Sequence, residues 1–236
     1  MDYVTWRSGD VEATAWRRPD GRWQLGLPDR TESWPALLAG RPGAVDRLLV
    51  SATEGSWDAP LADLGFTAVR TEQVWHLPVA GLTTAITSAA HTFTPVTGCD
   101  LDRVRDLDNI VRQQIPGTED WTGTVEDLRA TLSDDEFDPL LYLIAVHTGS
   151  GSYDGLIRVW YRRPRPRLGC LGVVPQWRRT RLAAGLLGAV ATILRGRAVT
   201  EILTETDLRN PDSHPMAARH GGIPRHRTTE WALTAG

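Results

Sequence analysis

Three stretches of this chain hold residue types at spacings that could do chemistry. The densest is Val174-Pro175-Gln176-Trp177-Arg178-Arg179-Thr180-Arg181-Leu182-Ala183-Ala184-Gly185-Leu186-Leu187, where an apolar run ends at a proline, arginines follow and a helical pattern begins. Leu182, Leu186, Val190 and Ile193 recur at helical spacing, with Ala183, Leu187 and Leu194 beside them. That stripe predicts a helix whose first turn lies near Arg178 to Leu182. Free N–H groups and the positive end of the helix dipole suit a pyrophosphate there, small residues let it approach the backbone, and the guanidinium groups add charge.

The second stretch runs from Thr204-Glu205-Thr206 through Asn210-Pro211-Asp212-Ser213-His214-Pro215-Met216 to His220-Gly221-Gly222. It places Glu205 and Asp207 at the end of a strand around Ile202, with Asn210 and Ser213 at a helix start, where plain capping is the structural alternative. The third is the tract Arg162-Arg163-Pro164-Arg165-Pro166-Arg167. Its prolines suit a hairpin loop, and it has no interleaved aromatics on which bases could stack. Cys99 and Cys170 have no second Cys or His at ligand spacing, so neither a metal site nor a disulfide framework is expected. Cys170 reads as a small buried hydrophobe.

Elements that position these groups follow from periodicity and turn signals. Strands are expected at Tyr3 to Trp6, Val11 to Trp16 and Trp23 to Leu27, the last two joined by a turn at Pro19-Asp20-Gly21. A short helix around Trp34 to Leu38, a strand at Leu48 to Ser51, and a segment from Leu61 into Val74-Trp75-His76-Leu77 follow. Beyond a Thr-, Ser- and Ala-rich connector at 80–90, Phe93 to Val96 reads as a strand. Asp100 then caps a helix carrying Leu101, Val104, Leu107, Ile110 and Val111 on one face. Thr124 to Leu132 reads as another helix, with Val125, Leu128 and Leu132 buried. Leu140 to Val146, Leu156 to Tyr161 and Cys170 to Val174 are strands, with a turn at Gly149 to Ser152. The expected fold class is α/β (α+β), a mixed central sheet flanked by helices.

The order of elements recurs at the two ends. Gly65 and Gly221, Trp75 and Trp231, and Leu77 and Leu233 are each 156 residues apart. This register points to a divergent internal repeat: residues 1–79 as a degenerate or partial copy, 80–92 as connector and 93–236 as the complete domain.

The arginine loop and the Asn210 segment point to one family. The loop Arg178-Arg179-Thr180-Arg181-Leu182-Ala183 resembles the pyrophosphate loop of the GNAT superfamily of acyl-CoA N-acyltransferases, matching at Arg178 and Ala183 and departing where Arg181 replaces a glycine. The Asn210 segment is similar to that family's helix before the final strand. The resemblance spans roughly Phe93 to Leu233. It implies acetyl-CoA as co-substrate and direct transfer of an acetyl group to a primary amine. It implies contacts to the co-substrate from Val173, Val174, Arg178, Arg179, Thr180, Arg181, Leu182, Ala183, Asn210 and Ser213. A backbone N–H near Val173 and Val174 would polarise the thioester carbonyl. Many members carry a tyrosine as general acid where this chain has Ala217, which leaves Tyr142, Tyr153, Tyr161, His214 or His220 as substitutes. Glu205, Asp207, Glu119 and Asp120 are the candidate bases; Glu205, His214 and Tyr142 head the catalytic set. A non-catalytic acyl-CoA-binding or regulatory protein is the alternative.

Composition bounds the partners. With 26 basic and 29 acidic residues the formal charge is −3, so no global positive field draws the chain to nucleic acid or an anionic membrane. Every basic residue is arginine, as codon usage in a GC-rich bacterial genome would favour. No apolar run approaches bilayer length and the N-terminus has no basic-then-apolar leader pattern, so a cytoplasmic location is expected. The expected partner is a small-molecule or peptide amine, and a homodimer is compatible with the chain.

Overall fold

The computed structural model describes residues 2–82 and 90–234. In chain order the elements are β1 (Tyr3–Ser8), β2 (Val11–Arg17), β3 (Trp23–Gly26), α1 (Trp34–Ala39), β4 (Arg47–Thr53), α2 (Asp58–Asp63), β5 (Thr67–Pro78), β6 (His91–Pro95), α3 (Leu101–Arg112), α4 (Val125–Leu132), β7 (Tyr142–His147), β8 (Tyr153–Trp160), β9 (Arg167–Val173), α5 (Leu182–Gly196), β10 (Glu201–Asp207), α6 (Ser213–Arg219) and β11 (Ile223–Thr234). They form two compact units, one of residues up to Glu72 together with those from His226 onward, the other Gln73–Arg225. The connector lies for the most part outside the described residues. Among those described, no helix is long and apolar enough to cross a membrane.

In the first unit the strand order is β1-β2-β3-β4-β11-β5. β1, β2 and β3 are antiparallel, β3 and β4 parallel, and β4 pairs antiparallel with β11 from Thr53↔Thr228 to Arg47↔Thr234. Trp6, Trp23, Leu25, Trp34, Leu37, Leu48, Val50, Leu61 and Phe66 fill the core. The turn predicted at Pro19-Asp20-Gly21 forms with Gly21 at φ +78°, which a residue with a Cβ resists. Beside it a buried ion network joins Arg18 to Glu230 at 2.6 Å and to Asp20 at 3.0 Å, with Arg22 on Asp20 at 2.7 Å. Burial pushes the Asp20 carboxyl up, but the Arg22 hydrogen bond and the Arg18 charge outweigh it and hold the group below its ordinary value.

In the second unit the order is β5-β10-β9-β8-β7-β6. Alternation along the strands splits the core in two. Tyr142, Ile144, Leu156 and Cys170 face Val104, Leu107 and Val111 of α3 and Leu128 of α4. Leu143, Ala145, Ile157, Val159 and Ile202 face Leu182, Leu186, Leu187, Val190 and Leu194 of α5 and Ala217 of α6. At Gly172 a Cβ would lie 2.3 Å from Val111 Cγ1, so glycine is what lets α3 close on β9.

Local signals account for the element boundaries. Asp100 caps α3 by accepting from the N–H groups of Asp102 and Arg103, and Thr124 with Asp127 forms a capping box at α4. Three details depart from the sequence pattern. Ile110 is exposed, because Val104, Leu107 and Val111 already fill the inward stripe of α3. Leu140 is also exposed: Asp138 accepts its N–H and starts a 3-10 turn over Pro139–Leu141, so β7 begins at Tyr142. The helix expected from Arg178 starts instead at Leu182, after a 3-10 turn at Pro175–Trp177.

Candidate functional site

β9 and β10 run parallel but pair at only two positions, Arg167↔Leu203 and Leu168↔Thr204, although β9 continues to Val173 and β10 to Asp207. A bulge explains the parting. Opposite β8, Arg158 pairs with Cys170 and Val159 with Leu168, so Gly169 is an extra residue. Such an insertion bends its strand. A Cβ at Gly169 would stand 2.8 Å from Trp160 Nε1, so the bulge needs glycine. Beyond it, the β10-facing edge of β9 has no ladder partner among the described residues.

The loop leaving β9 is held by its own backbone. Val174 N–H donates to the Asp154 carbonyl, Trp177 N–H to that of Val174 and Arg178 N–H to that of Pro175. Thr180 Oγ1 donates to the Trp177 carbonyl at 2.6 Å and accepts from Leu182 N–H at 3.2 Å. Arg181 is the N-cap of α5 without a side-chain cap bond, so the N–H groups of Ala183 and Ala184 lack an acceptor within the helix. Arg178, Arg179 and Arg181 are exposed, and none pairs with a carboxylate among the described residues. Arg178 donates to Gln114 Oε1. The left-handed position of this loop is Arg179, at φ +58°, whereas Arg181 has φ −86°. Arg181 therefore stands where its backbone accepts any side chain, and the lost glycine imposes no strain there.

Trp177 anchors the loop in a seat that no sequence pattern announced. Its ring meets His91 edge-on at 4.5 Å and His147 at 5.8 Å. His91 Nε2 lies 2.9 Å from Asp154 Oδ2, with both side chains buried. Asp154 Oδ1 accepts from Ser152 Oγ, which contacts Ser150 Oγ at 2.9 Å. The N–H groups of Gly149 and Ser150 both point at His147 Nδ1, so that nitrogen is an acceptor and the ring carries its proton on Nε2. His91 and His147 meet only through cross-strand pairing of β6 with β7, which is why local sequence carries no sign of the seat.

The residues singled out from sequence fall into separate environments. Val173 and Val174 are buried at the end of β9, leading directly into the arginine loop. Asn210 Oδ1 accepts from Asp212 N–H at 3.0 Å and Ser213 N–H at 3.1 Å, so it caps α6, and Ser213 Oγ is buried without a partner among the described residues. Glu205 pairs with Arg167 at 2.8 Å. His214 packs edge-on against Trp75 at 4.8 Å, and its Nδ1 is 3.4 Å from Thr206 Oγ1, which also accepts from Trp75 Nε1. As neighbours on one strand, Glu205 and Thr206 face opposite sides of the sheet, so Glu205 and His214 flank the end of β10 from its two faces.

Tyr142 is fully buried under α3, and burial, with Asp108 nearby, lifts its phenol well above the usual range. It lies three strands from β10, about 14 Å by strand spacing. Tyr153 accepts from Asp100 N–H, Tyr161 stacks under Arg197, and His220 lies 3.2 Å from the Gly81 carbonyl oxygen. Glu119 and Asp120 are exposed on the α3–α4 loop. Asp207 is buried against Arg209. Burial pushes the Cys170 thiol up to about 12, so it stays protonated at neutral pH and is no nucleophile.

No family model matches the sequence, and no curated protein matches it either. Solved structures do match. A GCN5-related N-acetyltransferase from Sphaerobacter thermophilus aligns with TM-score 0.71 at 19% identity, over 95% of this chain and 76% of that one. A tandem GNAT protein from the clavulanic acid biosynthesis pathway aligns with TM-score 0.70 at 17% identity, over 100% of this chain and 83% of that one. A GCN5-related N-acetyltransferase from Kribbella flavida aligns with TM-score 0.63 at 14% identity, over 99% and 90%. At such identities the likeness speaks of architecture, and it runs through both units. The parted strands, the basic loop and the helix behind it thus belong to a chain with the fold of the GCN5-related N-acetyltransferases.

Proposed function

We propose that the Gln73–Arg225 unit is an acyl-CoA-dependent N-acyltransferase that moves an acetyl group from acetyl-CoA directly to a primary amine. One observation carries this reading: β9 and β10 part immediately before a helix start where the N–H groups of Ala183 and Ala184 lack an acceptor and three arginines have no carboxylate partner among the described residues. A pyrophosphate fits that donor set, with Arg178, Arg179, Thr180, Arg181, Leu182 and Ala183 around it. The acyl arm then follows the open edge of β9 at Val173 and Val174, where a backbone N–H polarises the thioester carbonyl. The amine attacks as its neutral form, the C–S bond breaks as the C–N bond forms, and the amine proton leaves as the thiolate gains one. Glu205 and His214 flank the end of β10 and are the proposed acid–base pair. Asn210 and Ser213 are proposed to border the co-substrate from α6.

The first half of the chain is proposed to be a partial copy of the second. β1-β2-β3-α1-β4-α2-β5 and β7-β8-β9-α5-β10-α6-β11 are the same succession. α2 and α6 also end alike: Gly65 and Gly221 are left-handed, Phe66 N–H bonds to Leu61 as Gly222 N–H bonds to Ala217. The acceptor is proposed to be a small molecule or peptide in the cytoplasm of a bacterium.

A second reading, acyl-CoA binding without transfer, is favoured by Asn210 being spent on capping and by buried Ala217 where many family members place a tyrosine. Calorimetric titration with acetyl-CoA, then thiol release with a panel of amines, separates the two. Saturable binding with release for at least one amine supports transfer. Binding without release on any amine favours the second reading, and no binding refutes both.

A further inference from the structure

Arg158 on β8 is buried, 6% exposed, on the sheet face covered by α3 and α4. Its Nε is sealed without a hydrogen-bond partner, and no Asp or Glu among the described residues pairs with it. Its two terminal nitrogens make no hydrogen bond to described residues either, yet they are not sealed. The rings of Tyr142 and Trp160 bracket the guanidinium at 5.5 Å and 5.2 Å. A cation buried in this way is unfavourable unless something pairs with it.

The surroundings add to the imbalance rather than relieve it. Arg112 of α3, stacked over Trp121, already occupies Asp108 at 3.0 Å, while Asp108 Oδ1 and the Tyr142 hydroxyl have no partner among the described residues. Arg112 and Asp108 both act on the Tyr142 phenol that Arg158 overlies. Among the described residues beside Tyr142, two guanidinium groups, Arg158 and Arg112, thus stand near the single carboxylate of Asp108, which is already paired with Arg112. This side of the unit also adjoins the parted strands: Trp160 leans on the bulge at Gly169, and Glu205 lies two strands from Arg158, about 10 Å by strand spacing. The co-substrate loop leads into α5 on the opposite face, so its phosphates are not the missing anion.

We propose that Arg158 receives the carboxylate of the acceptor, so that the acceptor is an amine that also carries a carboxylate, as in an amino acid or a peptide terminus. A planar guanidinium matches a carboxylate through two parallel hydrogen bonds, and Trp160 offers a ring against which the acceptor's carbon chain lies. This rests on the N-acyltransferase reading, and its test is arranged to fail separately from it.

Glycine, phenylalanine and 4-aminobutyrate are each compared with their own amide as acceptors for acetyl-CoA, in the wild-type chain, R158K and R158M. The expected result is a preference for at least one acid over its amide of about 10-fold or more in kcat/KM. R158M should abolish that preference through the acceptor KM, and R158K should weaken it, with the KM for acetyl-CoA unchanged in both. R158K keeps the charge on a slightly shorter side chain without the planar fork, so it reports even if R158M does not fold. Equal use of acids and amides, or a folded variant that keeps the preference, overturns the proposal. If no amine is acetylated, the same three acids are titrated calorimetrically: binding weakened in R158K upholds the carboxylate site while the transferase reading falls, and no binding in the wild-type chain, or equal binding in R158K, overturns the site.

Discussion

After β3 in the first unit and after β9 in the second, the chain leaves a strand that pairs with its parallel neighbour at only two positions, crosses a loop and enters a helix. The outcomes differ. In the first unit the loop carries Asp29 and Glu32, its Arg30 is tied to Asp10 and Glu32, and α1 has six residues. Trp34 opens that helix fully buried, donating Nε1–H to the Pro28 carbonyl and meeting Trp57 edge-on at 5.0 Å. In the second unit the tryptophan of the loop, Trp177, is half-buried in its histidine seat, the arginines pair with no carboxylate among the described residues and α5 has fifteen residues. One succession of elements thus supports either a packed core or an exposed basic loop. Indole burial and the sign of the loop charge decide which.

The largest effect expected from this contrast is on stability. Trp34→Ala should cost about 3–5 kcal/mol, as truncation of a fully buried aromatic does. Trp177→Ala should cost only about 1–2 kcal/mol. Denaturant unfolding of both variants checks this, and equal losses would mean that the two tryptophans play the same structural part. Next in size is the effect of R178A/R181A on ligand. Acetyl-CoA affinity should fall about 10–100-fold by titration calorimetry, with the Tm of the free protein unchanged. Unchanged affinity would make the second loop as closed to anions as the first.

The smallest effect concerns pH. Asp20 has a folded pKa below its ordinary 3.8, so its stabilisation is complete above the unfolded value and is lost as pH falls through the folded one. Asp20→Asn should lower the Tm at pH 7 and flatten the Tm profile below about pH 4, where the wild-type chain loses this contribution. A parallel profile in the variant would assign the acid sensitivity to other carboxylates.

Much of this architecture is legible in the sequence. The caps at Asp100 and Thr124, the turn at Gly21 and the apolar stripe of α5 are local, and local chemistry decides them. The arginine loop was legible for the same reason, because a strand exit, a charge cluster and a helix start lie within ten residues. Where the pattern misled, a short-range competitor was at work, as when Asp138 drew Leu140 into a turn. His91, Asp154 and Arg158 were illegible because a lone histidine, aspartate or arginine in an apolar strand carries no sign of what lies across the sheet.

By itself the sequence determined the order and type of most elements, the mixed sheet with flanking helices and the basic helix start, since each depends on periodicity and capping among residues close in the chain. Only the tertiary structure decided that β11 pairs with β4, that β9 and β10 part at Gly169, and that Arg158 lies buried between two rings with no carboxylate paired to it among the described residues. Those outcomes depend on contacts between distant residues, whose choice is set by how the whole core packs rather than by any one segment.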